Sequence, residues 1–228
     1  MPGVPTTTRS RAKVRERRED VATRALAATE ELLADGSPYT ELAMQEIARR
    51  AGVARSTLYL QFPDKSKLLI ALAERATAGL FATALQWWQA DHGDGPDGLL
   101  TAQREMIAEF REHLDVLLAL SEVSTYDPEV ASYWVGRVAE FISAVQARLE
   151  REQRAGAIDP GLDPATTARI LTWMVERTIS VHCRLDPGSG DEQLAHDLAR
   201  SIWLTIYGYT SASASAAARS PERTAPSM

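Results

Sequence analysis

The amino-acid sequence predicts an all-α protein, in which a head of short N-terminal helices precedes a bundle of longer ones. Ala, Leu, Glu and Arg, which favour helices, dominate the chain between residues 15 and 210, and strand-like alternation is scarce. Clusters of Pro, Gly and Asp interrupt these stretches and mark the helix ends. The uninterrupted segments predict about nine helices, at 15–34, 42–50, 54–60, 64–90, 97–123 with a bend near His113, 128–155, 164–185 and 191–209.

The lengths of these helices divide the chain into segments. We expect a basic, flexible arm at 1–19, a helical head at 20–66 and a helical bundle at 67–210, with the helix from Asp64 connecting head and bundle. The segment 211–228 consists mainly of small and polar residues without an apolar face, so we expect it to be disordered.

The composition excludes several classes of protein. The 228 residues are 45% hydrophobic and 25% charged, which is typical of a globular chain rather than a fibrous or largely disordered one. The single cysteine, Cys183, excludes an internal disulfide and fits a reducing compartment. No apolar run approaches the roughly 18 residues that span a bilayer, and the N-terminus lacks the apolar core of a secretory signal. We therefore expect a cytoplasmic protein that does not bind membranes.

The charge is distributed unevenly along the chain. The net charge of −6 combines residues 1–75, with 13 Lys and Arg against 10 Asp and Glu, and residues 76–228, with 12 against 21. The first 18 residues hold six basic side chains and one acidic side chain. This basic head on an acidic body is compatible with an anionic partner for the head. The basic arm is interpreted either as a DNA contact or as a solvated tail.

The segment 44–62, MQEIARRAGVARSTLYLQF, has the pattern of a helix-turn-helix. Ile47 and Ala51 share one helix face, Gly52 stands where a sharp turn requires a positive φ, and Leu58 is apolar on the following helix. Taken singly, the polar residues of the second helix could be a solvated face. Together they suit a DNA groove, and the candidates are Arg55, Ser56, Thr57, Tyr59 and Gln61.

The run TELAMQEIARRAGVARSTLYLQFPDKSKLLIAL resembles the DNA-binding domain of TetR-type transcriptional regulators over residues 20–75. The resemblance includes the downstream F-x-x-K-x-x-L, which holds Lys65. It implies phosphate contacts from Thr57, Tyr59 and Lys65, and contacts to bases from Arg55, Ser56 and Gln61. Two positions depart from the family pattern, because Ala43 and Ala54 replace the usual Ser or Thr before each helix and remove both N-caps.

A narrower resemblance covers the bundle. The segments PEVASYW, WMVERTIS and ARSIWLTIYG are similar to the C-terminal domain of the mycobacterial ethionamide-resistance regulators. That resemblance implies a hydrophobic tunnel, although any single aromatic residue at helical spacing is more often core than cavity lining. Thr172 and Val175 stand where those regulators have two asparagines, so we expect a more apolar ligand. The implied ligand-binding residues are Leu99, Met106, Phe110, Trp134, Phe141, Thr172, Val175 and Trp203.

Family analogy also implies a homodimer that forms through the last two helices and reads a palindromic operator in double-stranded DNA. The apolar residues at helical spacing there are Ile170, Met174, Ile202, Ile206 and Tyr209. The expected activity is repression of transcription that a small hydrophobic effector relieves.

An enzyme is the first alternative, and the sequence does not favour it. The four histidines are dispersed, and neither an H-E-x-x-H pair, a cysteine pair nor a glycine-rich phosphate loop occurs. We therefore expect no catalytic residues, cofactor or metal. A second alternative stays open, namely a ligand-independent regulator or architectural DNA-binding protein with a fully packed bundle.

Overall fold

The computed structural model describes residues 6–90 and 95–217. Within these residues the chain forms nine α-helices and a single 3-10 turn, without a strand, and the all-α prediction is confirmed. The bounds are α1 Thr6–Ala34, the 3-10 turn Tyr39–Glu41, α2 Met44–Arg50, α3 Arg55–Gln61, α4 Lys65–Gln89, α5 Gly95–Glu112, α6 Leu114–Val123, α7 Pro128–Arg154, α8 Pro164–Leu185 and α9 Asp191–Ala217.

Helix bounds differ from the prediction at the two ends of the chain. The first helix begins at Thr6, so most of the basic arm is helical, consistent with its Arg, Lys and Glu content. The last helix runs to Ala217 and so includes residues 211–217 of the segment that we expected to be disordered, where repeated alanines favour a helix. Residues 1–5 and 218–228 of the predicted arm and tail lie outside the described residues. The predicted bend is present as a break at His113.

The first compact unit comprises Met1–Ala78 and His113–Gly136. It therefore extends beyond the boundary that we expected at residue 66, because α6 and the start of α7 share the apolar core of the head. Val116 and Leu120 of α6 lie in the same buried cluster as Ile47 and Leu58.

Helix α4 is the one described helix that is long and apolar enough to cross a bilayer. Its first turns nevertheless form the centre of the first unit, where Leu68, Leu69 and Leu72 are completely buried. The apolar character of this segment is therefore explained by core packing.

The second compact unit comprises Gly79–Glu112 and Arg137–Met228. Helix α5 lies against α8 and α9, and the core between them includes the buried Leu99, Ile107 and Ile179. The paired Arg148 and Glu152 are largely buried, with Nε of the arginine 2.5 Å from Oε1 of the glutamate. The unit thus combines an apolar core with buried polar pairs.

An ionic cluster joins α5, α8 and α9 in the second unit. The Arg111 guanidinium donates two hydrogen bonds of 2.5 Å to the Asp191 carboxylate, and Nε2 of His182 lies 2.8 Å from the same group. Asp186 accepts hydrogen bonds from the backbone N–H groups of Gly188 and Gly190, and these hold its pKa at about 2. The hydrogen bonds from Arg111 likewise lower the pKa of Asp191.

This cluster predicts that the fold loses stability in acid. A carboxyl group with a depressed folded pKa stabilises the protein above its unfolded pKa of about 4, and that contribution disappears as the pH falls toward the folded pKa. We expect urea unfolding to show a falling free energy between about pH 4 and pH 2, with a weaker dependence in the Asp186→Asn, Asp191→Asn double variant. An identical acid dependence in this variant would assign the loss to other carboxyl groups.

Candidate functional site

An arginine of α1 stabilises the turn between α2 and α3. Gly52 has a φ of +63°, the left-handed conformation that the sequence predicts there. Nη2 of Arg24 donates to the carbonyl oxygens of Ala51 and Gly52, each at 2.6 Å. These carbonyls follow the last turn of α2 and lack helical partners, so Arg24 caps the helix and fixes the turn.

Helix α3 is anchored by one residue and leaves a polar face exposed. Leu58 is completely buried, whereas Arg55, Ser56 and Tyr59 are exposed. The Arg55 guanidinium carbon lies 5.4 Å from the centre of the Tyr59 ring, in a cation–π arrangement. Of the other predicted contacts on this helix, Thr57 is half-buried, as is Gln61.

Two further features of this surface were not predicted from the sequence. Leu60 is 80% exposed and shares a helix face with Ser56, so it presents an apolar group beside the polar one. Arg49, at the end of α2, donates 2.5 and 2.9 Å hydrogen bonds to Glu46. Leu60 follows the buried Leu58 by two residues and therefore lies off its face of the helix, a spacing that the sequence already shows.

Helices α2 and α3 both lack a side-chain N-cap in the structure, as the sequence predicts. The residues Ala43 and Ala54 adopt the extended conformation of N-cap residues, and in this described region neither helix start receives a side-chain hydrogen bond. Each alanine therefore forgoes about 1 kcal/mol of capping energy. The amides at the start of α3 keep their hydrogen-bonding capacity for water or another partner.

Lys65 is half-buried and has hydrogen-bond partners within the protein. Its ammonium donates to the carbonyl oxygens of Tyr39 at 2.5 Å and Thr40 at 3.1 Å, and it lies 4.8 Å from the centre of the Tyr39 ring. The Tyr39 hydroxyl donates in return to the Lys65 carbonyl at 2.6 Å. Burial lowers the pKa of Lys65. Since an ammonium has three N–H donors, this arrangement leaves one for a further acceptor.

The second unit contains an apolar cavity of about 70 Å³. This is smaller than the ~300–1,000 Å³ typical of sites for drug-sized ligands, so such a ligand must displace side chains as it enters. Helices α4, α5, α7, α8 and α9 all contribute to its wall. The lining residues are Phe81, Ala84, Trp88, Gln103, Met106, Val138, Phe141, Leu171, Thr172, Val175, Glu176 and Ile202.

The structure brings together only part of the predicted ligand-binding set. Met106, Phe141, Thr172 and Val175 line the cavity. The other four predicted residues do not belong to the described lining. They are Leu99, Phe110, Trp203 and Trp134. The first two are buried core residues, whereas Trp203 packs against Tyr207 with ring centres 4.4 Å apart and ring planes tilted by 39°.

Trp134, the fourth of these residues, packs instead against the core of the first unit. It lies two turns before Phe141 on α7, and the sequence predicts a common environment for the pair. The two residues differ because α7 contributes to both units: its residues up to Gly136 belong to the first unit, and those from Arg137 onward belong to the second. Residues on one face of this helix therefore pack in the cores of two different units.

Three lining side chains of the cavity carry oxygen atoms. Gln103 and Thr172 are buried, whereas Glu176 is half-buried, and burial raises its pKa. Oε1 of Gln103 and Oγ1 of Thr172 have no hydrogen-bond partner in the described part of the chain. The sequence prediction included Thr172 but not the other two.

The predicted dimer residues divide into two groups. Ile202 and Ile206 are 2% and 1% exposed and belong to the core of the second unit, which corrects their assignment to an outer face. Apolar spacing on a helix does not distinguish a core face from an interface, which explains the error. Ile170 is 58% exposed and Met174 is half-buried, whereas the Tyr209 side chain lies outside the described side chains.

Comparison with known proteins shows matches in both units. Residues 25–72 match the family model for bacterial regulatory proteins of the TetR family, and residues 100–208 match the model for the C-terminal domain of the transcriptional regulator EthR. The HTH-type transcriptional regulator EthR of Mycolicibacterium smegmatis is 30% identical over 194 residues, which are 81% of this chain and 85% of the relative. The EthR of Mycobacterium tuberculosis is 29% identical over 187 residues, 81% of this chain and 86% of the relative.

A solved structure supports the fold. The regulator FadR from Bacillus subtilis, in complex with stearoyl-CoA, has a TM-score of 0.66 at 17% identity. The likeness covers 81% of this chain and 99% of the FadR chain. At this identity the match concerns the fold alone.

Proposed function

Because this chain belongs to the TetR family of bacterial regulatory proteins, we propose that it is a ligand-responsive repressor of transcription. In this proposal it binds a palindromic operator as a homodimer and is released from the DNA by a small hydrophobic effector. It acts by binding rather than by catalysis, and it works in the cytoplasm, where its DNA target lies.

The exposed polar face of α3 is the observation that carries the DNA-binding part of the proposal. Arg55 and Ser56 stand at the start of the helix, where recognition helices reach base edges in the major groove. Arginine pairs with two acceptors of guanine, and the exposed Leu60 suits the methyl group of thymine. The buried Leu58 and the turn held by Arg24 fix the orientation of this face.

We expect Tyr59 and Lys65 to contribute affinity that does not depend on DNA sequence. Replacing Lys65 by Ala removes one phosphate contact, so the slope of log K against log salt should fall by about 0.9, with weaker binding to every duplex. Tyr59→Ala should weaken all duplexes alike. Fluorescence anisotropy at several salt concentrations measures both effects.

The Lys65 variant also separates two roles of the side chain. Loss of its bonds to the carbonyls of Tyr39 and Thr40 should lower the melting temperature. A lower melting temperature with an unchanged salt slope would make Lys65 a purely structural residue.

The cavity favours a ligand-responsive protein over the alternative of a fully packed bundle. A packed core buries few unpaired polar atoms, because each of them costs about 1–3 kcal/mol. Gln103 and Thr172 present such atoms in the cavity, within the residues that the structure describes. A ligand that prefers a conformation incompatible with the operator would shift the population toward the released state.

The exposed apolar residues of α8 and α9 are the proposed dimer face. Ile170, Trp173 and Leu204 are 58%, 38% and 52% exposed, although such side chains are usually buried. A two-fold interface through these helices would cover them and place two α3 helices for the halves of a palindrome.

Introducing charge at this face should separate the subunits. We expect the Ile170→Asp, Leu204→Asp double variant to sediment as a monomer and to bind the operator at least about tenfold more weakly. Leu185→Asp is the matched control, because Leu185 is 75% exposed at the end of α8 and should leave the dimer intact. A dimeric double variant would rule out this face.

One experiment tests the whole proposal. DNA fragments bound by the wild-type protein are selected from the source genome, and compounds are then screened for release of those fragments. We expect the fragments to share an inverted repeat and a hydrophobic compound to release them. Selection without a shared sequence would contradict an operator-binding repressor.

A further inference from the structure

Within the described residues, three hydrogen-bond acceptors that line the cavity lack a hydrogen-bond partner. Oε1 of Gln103 and Oγ1 of Thr172 are both buried and unpaired within the described residues. The same part of the chain provides neither an ion pair nor a hydrogen bond for the Glu176 carboxyl group. Its neighbour Arg177 is exposed to solvent rather than part of the cavity lining.

These groups converge from two helices. Thr172 and Glu176 are four residues apart on α8 and therefore lie on one face, whereas Gln103 comes from α5. The N–H side of the Gln103 amide already faces Sδ of Met106 at 4.0 Å, which leaves its oxygen for another donor. A carboxylate, an amide oxygen and a hydroxyl all accept hydrogen bonds, so the complementary ligand group is a donor.

The rest of the lining suits the apolar part of such a ligand. Phe81 and Phe141 have ring centres 6.0 Å apart, and Trp88 packs edge-on against Trp87 at 4.8 Å. Aromatic faces also attract cations, by about 0.5–2 kcal/mol for each contact. Burial raises the pKa of Glu176 and outweighs the opposing effect of the Arg177 charge, which lies outside the cavity lining.

We propose, building on the function proposed above, that the effector is a small apolar amine. Its protonated nitrogen donates hydrogen bonds to Gln103 and Thr172 and pairs with Glu176, while its apolar body lies against the aromatic rings. Val175 alone suggests a more apolar ligand, but Gln103 and Glu176 supply the polarity that the Thr172–Val175 pair lacks.

A matched pair of probes tests this ligand class. Phenylbutylamine is a cation at neutral pH, and phenylbutanol has nearly the same shape without the charge. Tryptophan fluorescence is the readout of binding, because Trp88 lines the cavity. We expect the amine to bind the wild-type protein at least about tenfold more tightly than the alcohol, because charge-assisted hydrogen bonds are about twice as strong as neutral ones.

Variants assign the preference to the proposed groups. Glu176→Gln should lower the amine-to-alcohol affinity ratio toward 1, whereas Gln103→Leu should weaken both probes. Glu105→Gln is the control for net charge, because Glu105 is exposed on α5, and it should keep the wild-type ratio. Circular dichroism melting establishes that each variant is folded.

The outcomes distinguish the ligand class from the regulatory function. If the alcohol binds as tightly as the amine, or if Glu176→Gln keeps the preference, the amine assignment is wrong while a ligand-responsive repressor still stands. If neither probe binds, the amine assignment also fails. The regulatory proposal fails on a separate result, namely that no hydrophobic compound releases the selected DNA.

Discussion

Replacing Gly52 by Ala should strongly reduce both the stability of the head and its affinity for DNA. A non-glycine residue at a φ of +63° costs about 1–2 kcal/mol. The added Cβ would also stand 2.9 Å from Nη2 of Arg24, so the arginine must move away from the two carbonyls that it caps. We expect a total loss of about 3 kcal/mol in urea unfolding and at least a tenfold weaker operator complex.

Gly36 provides the matched control. It has a φ of +87°, but no described atom lies within 4 Å of the position of an added Cβ. Gly36→Ala should therefore show the backbone cost alone, about 1–2 kcal/mol, and bind DNA like the wild type. Equal losses in the two variants would mean that Arg24 does not hold the turn.

Filling the cavity should abolish the response to ligand and leave DNA binding intact. Ala84 is 4% exposed and lines the cavity, so Ala84→Leu places a larger side chain in the space that a ligand needs. Thr172→Trp should have the same effect with a larger group. Anisotropy of a labelled operator should show affinity within about twofold of the wild type without ligand, and no release when ligand is added.

The control for this prediction lies on the same helix. Ala82 is exposed on α4, two residues before Ala84, and Ala82→Leu should keep both DNA binding and release. Overpacking a core costs about 1–3 kcal/mol, so melting curves must show that Ala84→Leu remains folded. Normal release from a folded Ala84→Leu protein would place the ligand elsewhere.

The DNA-reading head could be predicted in detail because its pattern is local. Ile47, Gly52 and Leu58 occur within twelve residues, and each has one physical role that residue type alone indicates. The role of Arg24 could not be predicted, because its partners lie 27 and 28 residues away and are backbone carbonyls. No side-chain pattern marks a carbonyl as an acceptor.

The cavity was harder to predict, because its walls depend on how helices meet. Phe141 and Trp134 have the same helical phase but pack in different units. Gln103 and Glu176 look in sequence like solvent-facing residues of amphipathic helices. Their place at the cavity follows only from the packing of α5 against α8.

Anisotropy titration of an operator selected from the source genome, beside a scrambled duplex, tests most directly whether α3 reads the DNA sequence. The account predicts that Arg55→Ala lowers the ratio of operator to scrambled affinity by about tenfold or more, while binding to the scrambled duplex changes by less than about threefold. An unchanged ratio in the Arg55→Ala protein would contradict it, because base reading would then come from another part of the molecule.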